Sequence, residues 1–214
     1  MNQDRRDRLR DAAIAVLAQE GGRGLTHRAV DAAAAVPTGT AKNYFPTRDA
    51  LLRAAAERCA EQYRALAQTL AGAGREQGPG AESGPGSGPG LGAVPADAAQ
   101  LAALLAGLLR DTAGPGRIRV LAYLELQAEA ARRPWLAALL DPVAAADFTA
   151  HAYLLRAAGL AAGPDRARAL TLALHGAIPH LLTGAPATLA AAGLDDLDRF
   201  TRELLASVCE EEAR

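Results

Sequence analysis

The chain has 214 residues, 50% of them apolar, which is enough to bury one good core or a small domain joined to a larger one and excludes disorder of the whole. Ala and Leu dominate the apolar set and aromatics make up only 4%, a balance that predicts an all-α protein. The formal charge of −1 argues neither for nor against a polyanionic partner.

In chain order, residues 4–20 place Leu9, Ala13, Val16 and Leu17 on one helical stripe, and Gly21-Gly22 is expected to stop that helix. Thr26 reads as the N-cap of a short second helix reaching about Ala34, with Leu25 and Val30 spaced as a hydrophobic staple. A third segment, 37–45, follows a tight turn and ends at Pro46, and Pro37 is acceptable as its first residue because the N–H it lacks would be unpaired there. Thr47 caps a fourth helix whose apolar face runs through Leu51, Leu52, Ala55, Cys59 and Leu66 to about Ala71. Residues 72–96 hold 9 Gly and 4 Pro among 25, a composition that cannot offset the entropy of being fixed; a disordered loop is expected. Beyond it the pattern predicts helices at 97–112, 117–132, 135–140, 143–160, 165–183 with Pro179 inside it, and 194–212.

No run approaches the roughly 18 apolar residues of a membrane span, and no secretory signal is evident. Cys59 and Cys209 stand 150 positions apart with no CxxC or Cys/His cluster. A cytoplasmic protein with no metal site and no cofactor is expected. Residues 1–70 carry 11 basic and 8 acidic side chains, and residues 71–214 carry 12 and 16, so the N-terminal part is the end where a polyanion would dock. All but one of the 23 basic residues are Arg; the exception is Lys42.

A supporting helix followed by short helix, tight turn and short helix is the arrangement that lays its last helix in a major groove. Residues 9–53, with the first helix ending in Glu20-Gly21-Gly22, Leu25-Thr26, Ala34-Ala35-Val36, Gly39, Thr40, Tyr44, Phe45, Arg48 and Leu51-Leu52, resemble the DNA-binding domain of the TetR family. Departures from the family pattern are Pro37 in place of the usual capping Ser, Ala41 in place of a larger apolar residue and Lys42 where Tyr is frequent. The resemblance implies a domain at 1–46 that binds DNA, a connecting helix at 47–71, the loop at 72–96, and a ligand-binding and dimerisation domain at 97–214.

From the residues, the helix starts at Thr26 and Thr47 offer unpaired N–H groups to phosphates. Thr38, Thr40, Lys42 and Asn43 are the side chains expected to reach base edges, Lys toward guanine and Asn toward adenine. Gly39 is expected to let the backbone approach closely, and Arg48, His27 and Arg28 to touch the DNA backbone or a flanking base. Tyr44 is assigned a phosphate or sugar contact by the resemblance. Arg5, Arg6, Arg8 and Arg10, interleaved with Asp4, Asp7 and Asp11, read as a solvated face.

In the C-terminal half, Tyr123, Glu125, Gln127, Trp135, Phe148, His151 and His175 are candidates to line a pocket for a small-molecule inducer. Glu125 lies on a mostly apolar helix and needs a partner, since an unpaired buried carboxylate costs several kcal/mol. His175 and His180 point about 140° apart on a helix and do not chelate. The resemblance implies a homodimer formed through the helices near 165–183 and 194–212. No GxSxG, P-loop, GxGxxG or HExxH is present, so no enzyme is expected. The sequence reads as a ligand-responsive repressor binding a palindromic double-stranded operator. The alternative is a helical ligand-sequestering or protein-interaction module without operator binding.

Overall fold

A computed structural model describes residues 2–72 and 94–209, so most of the loop expected at 72–96, and the end of the helix expected at 194–212, lie outside the described residues. Among the described residues there are ten helices and no strand, the all-α architecture expected from the sequence. They are α1 (Asn2–Gly24), α2 (His27–Ala33), α3 (Thr40–Tyr44), α4 (Arg48–Gly72), α5 (Ala98–Ala113), α6 (Arg117–Ala130), α7 (Pro134–Ala157), α8 (Pro164–Thr183), α9 (Pro186–Ala191) and α10 (Leu197–Cys209). No described helix is long and apolar enough to cross a membrane.

Two compact units can be separated, one comprising Met1–Ala65 with Gly116–Val143 and the other Leu66–Pro115 with Ala144–Arg214. In the first, Leu9, Ala13 and Leu17 of α1 pack with Leu25, Val30, Ala41, Phe45 and the α4 face Leu51, Leu52, Ala55 and Cys59. Ala122 and Leu126 of α6 and Leu136 and Leu140 of α7 join the same core. Each fully buried leucine contributes roughly 1.5–3 kcal/mol relative to exposure, so the short α2 and α3 owe their stability to this packing rather than to their own length. In the second unit, Leu101, Leu105 and Leu109 of α5 meet Leu155, Leu170, Leu174 and Leu205. Thr201 of α10 donates its hydroxyl to the Ala102 carbonyl at 2.9 Å, tying α10 to α5.

Several local expectations need correction. The segments 135–140 and 143–160 form one helix, α7, that runs through Pro142. Pro142 and Ala138, the residue whose carbonyl loses its i+4 partner, are both exposed, so water can satisfy the freed oxygen. Pro179, by contrast, lies inside α8 as expected, on an exposed position. Residues 186–191 form a short helix, α9, outside the helices expected from the pattern, and α10 begins only at Leu197.

Arg10 is not part of a solvated face. It is buried, and its guanidinium reaches Asp7 at 3.0 Å, Glu61 of α4 at 2.6 Å and the Ala54 carbonyl at 3.4 Å. Arg58 bonds both oxygens of Asp11, at 2.7 and 3.0 Å, so a ladder of charges fastens α1 to α4. Arg5, Arg6 and Arg8 remain exposed.

Candidate functional site

The second helix starts as expected: the Thr26 hydroxyl accepts the Ala29 N–H at 3.1 Å. It ends at Ala34, after which Ala35 takes φ 50, and the Val36 N–H returns to the Asp31 carbonyl at 3.0 Å. That is a left-handed helix terminus built without the glycine that normally relieves it.

Only one turn of the segment 37–45 is helical, and Pro37 precedes it instead of opening it. Gly39 stands at the N-cap with φ 93, and a Cβ there would meet nothing within 4 Å. Its need for glycine is therefore conformational. The cap itself comes from a distance. Asp31, buried on α2, accepts the Gly39 N–H at 2.7 Å and the Ala41 N–H at 2.6 Å, and so fulfils the duty of the absent capping Ser. At the other end the His27 ring donates from Nε2 to the Phe45 carbonyl at 2.6 Å. Ala41 and Phe45 are the buried feet of α3.

With both ends held, the rest of the turn faces outward. Thr38, Lys42 and Asn43 are exposed, as are Thr26, Arg28 and Thr47; Thr40 and Tyr44 are half-buried. The Thr40 hydroxyl donates to the Pro37 carbonyl at 2.6 Å, leaving its oxygen free to accept. Thr47 accepts the Ala50 N–H at 3.0 Å and opens α4, whose remaining first-turn N–H groups point along the helix axis. Arg48 turns back, and its guanidinium donates to the Gly22 carbonyl. Asp31 was missed at the sequence level. A single acidic residue beside Val30 in an Ala-rich helix looks solvated until the fold brings Gly39 over it.

The inducer-pocket candidates divide between the two units. In the first, Tyr123 packs on Tyr63 with ring centroids 5.0 Å apart, and Trp135 lies under the Arg53 guanidinium at 4.5 Å. Glu125 has its partner in the backbone: Oε2 accepts the Gly22 N–H at 2.8 Å. Gln127 is exposed.

In the second unit, Phe148, His151 and His175 come together between α7 and α8. His175 Nε2 lies 3.0 Å from Asp147 Oδ2, and Phe148 meets the His175 ring edge-on at 6.5 Å. His151 Nδ1 is 2.9 Å from the Thr171 hydroxyl, which itself donates to the Ala167 carbonyl at 2.7 Å. The Thr171 proton being committed, His151 carries its own on Nδ1 and presents Nε2 as an acceptor. Burial pushes the His151 pKa down to about 4, so the ring is neutral at physiological pH. Among the described residues no cluster of three or more His, Cys, Asp or Glu could hold a metal ion. Burial raises the Cys59 thiol to about 12, which removes it as a nucleophile at neutral pH.

A helix-turn-helix on a helical body defines the class, a transcriptional regulator. Residues 96–209 match the family model described as "Tetracyclin repressor-like, C-terminal domain". The chain is 33% identical to the multidrug binding protein EbrR complexed with imidazole, with 96% of this chain and 94% of that one covered and a TM-score of 0.56. The same protein complexed with ethidium gives 29% identity, coverage of 96% and 98%, and a TM-score of 0.59. A member of the TetR family from Streptomyces coelicolor A3 is 32% identical over 96% of this chain and 98% of its own, with a TM-score of 0.59. No curated protein matches the sequence significantly. The chain belongs to the TetR family of transcriptional regulators.

Proposed function

We propose that the protein is a ligand-responsive repressor that binds a palindromic operator in double-stranded DNA as a homodimer. The observation that carries this reading is the outward trio Thr38, Lys42 and Asn43 on a turn whose two ends are fixed by Asp31 and His27. A side chain that must find a base edge gains from a backbone that cannot move. Thr26, Arg28, Tyr44 and the N-terminus of α4 at Thr47 then supply phosphate and sugar contacts, which position the turn without reading sequence.

For the dimer, α8 offers an exposed stripe, Ala169, Leu172 and Gly176, on which Leu172 is 55% exposed. A large leucine between small residues suits close packing on the same helix of a second copy, with α10 beside it. The inducer belongs with Phe148, His151 and His175. His151 Nε2 and the Asp147 carboxylate are acceptors beside an aromatic face, a combination that favours a flat, N–H-donating, cationic molecule. EbrR, whose complexes contain imidazole and ethidium, is consistent with that class.

Nuclease footprinting on DNA upstream of the protein's own gene and its neighbours tests the reading. A protected, roughly palindromic site that is released by ethidium is expected. Absence of protection on every such fragment would contradict it. In sedimentation, the wild type should run as a dimer and Leu172→Arg as a monomer; a wild-type monomer would remove the two-headed reading.

A further inference from the structure

Arg23 at the end of α1, Arg48 at the start of α4, and Arg132 and Arg133 after α6 line one cleft of about 710 Å³, with Glu129 on its wall. All five belong to the first compact unit. Four arginines and one carboxylate thus form its lining. Glu129 is bonded by Arg133 and reached by Arg132 at 3.4 Å, and Arg133 lies 3.8 Å from Asp49. Arg48 is held by the Gly22 carbonyl. Among the described residues Arg23 has no ion-pair partner.

The cleft is built and not merely accumulated. A Cβ on Gly22 would sit 2.6 Å from Glu129 Oε1, so glycine there lets the carboxylate come against the α1 terminus and anchor the arginines around it. Cations fixed in a concavity repel one another, and an anion removes that cost. Guanidinium forks pair with clustered anionic oxygens two at a time, more than a single carboxylate can occupy. The cleft volume is in the range of small-molecule sites and exceeds that of a lone phosphate.

We propose that this cleft is a second ligand site, separate from the Phe148, His151 and His175 cluster, that takes a small molecule bearing a di- or triphosphate group. It stands independently of operator binding. Arg23 and Arg132 are its exposed donors, and Glu129 with Gly22 is the scaffold that fixes Arg133.

Calorimetric titration of the full chain with tripolyphosphate, at ionic strength held constant with chloride, tests the site. Saturable binding of one anion per chain is expected. Arg23→Gln and Arg132→Gln, both exposed positions, should each weaken it about tenfold or more, from the loss of a charged hydrogen bond. Arg64→Gln, an exposed arginine on α4 outside the cleft, should not. The proposal is overturned by absence of saturable heat, by equal weakening in Arg64→Gln, or by citrate binding as tightly as tripolyphosphate. It is also overturned if Arg23→Gln and Arg132→Gln lose DNA affinity while no tripolyphosphate binds, since the cleft would then be a DNA-backbone contact.

Discussion

Asp31 decides how the turn into α3 is held. Its two oxygens satisfy the N–H groups of Gly39 and Ala41, and both donors would be left without partners in Asp31→Ala. The buried Ala41 donor left unsatisfied costs about 1–3 kcal/mol, and the half-buried Gly39 donor less. The variant should therefore lose a few kcal/mol in urea unfolding and bind DNA more weakly than its residual folded fraction explains. Asp31→Asn keeps one acceptor but turns an NH₂ toward the other donor, so it should fall between the two. A variant as stable as wild type would show that α3 does not depend on this cap.

His151 ties stability to pH. Its folded pKa of about 4 lies below the ordinary value of 6.5, because burial disfavours the charged ring, Asp147 opposing and His175 reinforcing the shift. Between those values the unfolded chain binds the proton and the folded chain does not, so stability is full above about pH 6.5 and declines as pH falls toward 4. The contribution is on the order of 3 kcal/mol when complete. Unfolding free energies measured from pH 7 to pH 4.5 should show a slope that His151→Gln reduces; an unchanged slope would mean the ring is solvated in the folded state.

Among the elements, the turn between α2 and α3 carries strain. Ala35 sits at φ 50, where a Cβ costs about 1–2 kcal/mol, and Gly39 occupies φ 93 where none is present. Ala35→Gly should raise stability by up to about 1 kcal/mol, the relief being partly offset by the greater freedom of glycine in the unfolded chain. Gly39→Ala should lower stability by a similar amount or more. Thermal melts of the two variants check both signs, and a loss in Ala35→Gly would indicate that the alanine methyl makes a packing contact worth more than the strain.

The same elements show what a sequence can disclose. Helices whose apolar stripe is bounded by caps, such as α1, α2 and α4, are legible because Thr26, Thr47 and the Gly21-Gly22 pair announce their ends locally. Gly21, at φ 68, is indeed where α1 departs from helical geometry, although helical turns continue to Gly24. Pro142 misleads because its effect depends on whether the freed carbonyl meets water or core, and that is decided by tertiary structure. The short α9 has no buried face to produce a period. At the candidate site, the exposed side chains of α3 could be named from pattern and resemblance. Their supports could not: Asp31 is eight residues from Gly39, Glu125 finds the Gly22 N–H over a separation of 103 positions, and Arg10 leaves its apparent surface run to reach Glu61.

For the whole molecule, the proposed operator recognition rests on a small patch, held at both ends, that a dimer would present twice. Lys42 is the sole lysine in the chain and is exposed on α3, and under the proposed function its charge and its reach toward guanine acceptors would both bear on affinity. The most direct measurement is fluorescence anisotropy of the operator fragment titrated with wild type and Lys42→Ala over a range of salt concentrations. Wild type should bind tightly and in a salt-sensitive manner, and Lys42→Ala should weaken that binding by about tenfold or more, with loss of discrimination against a scrambled site. Equal affinity of the two proteins for operator and scrambled DNA at every salt concentration would contradict the proposed function.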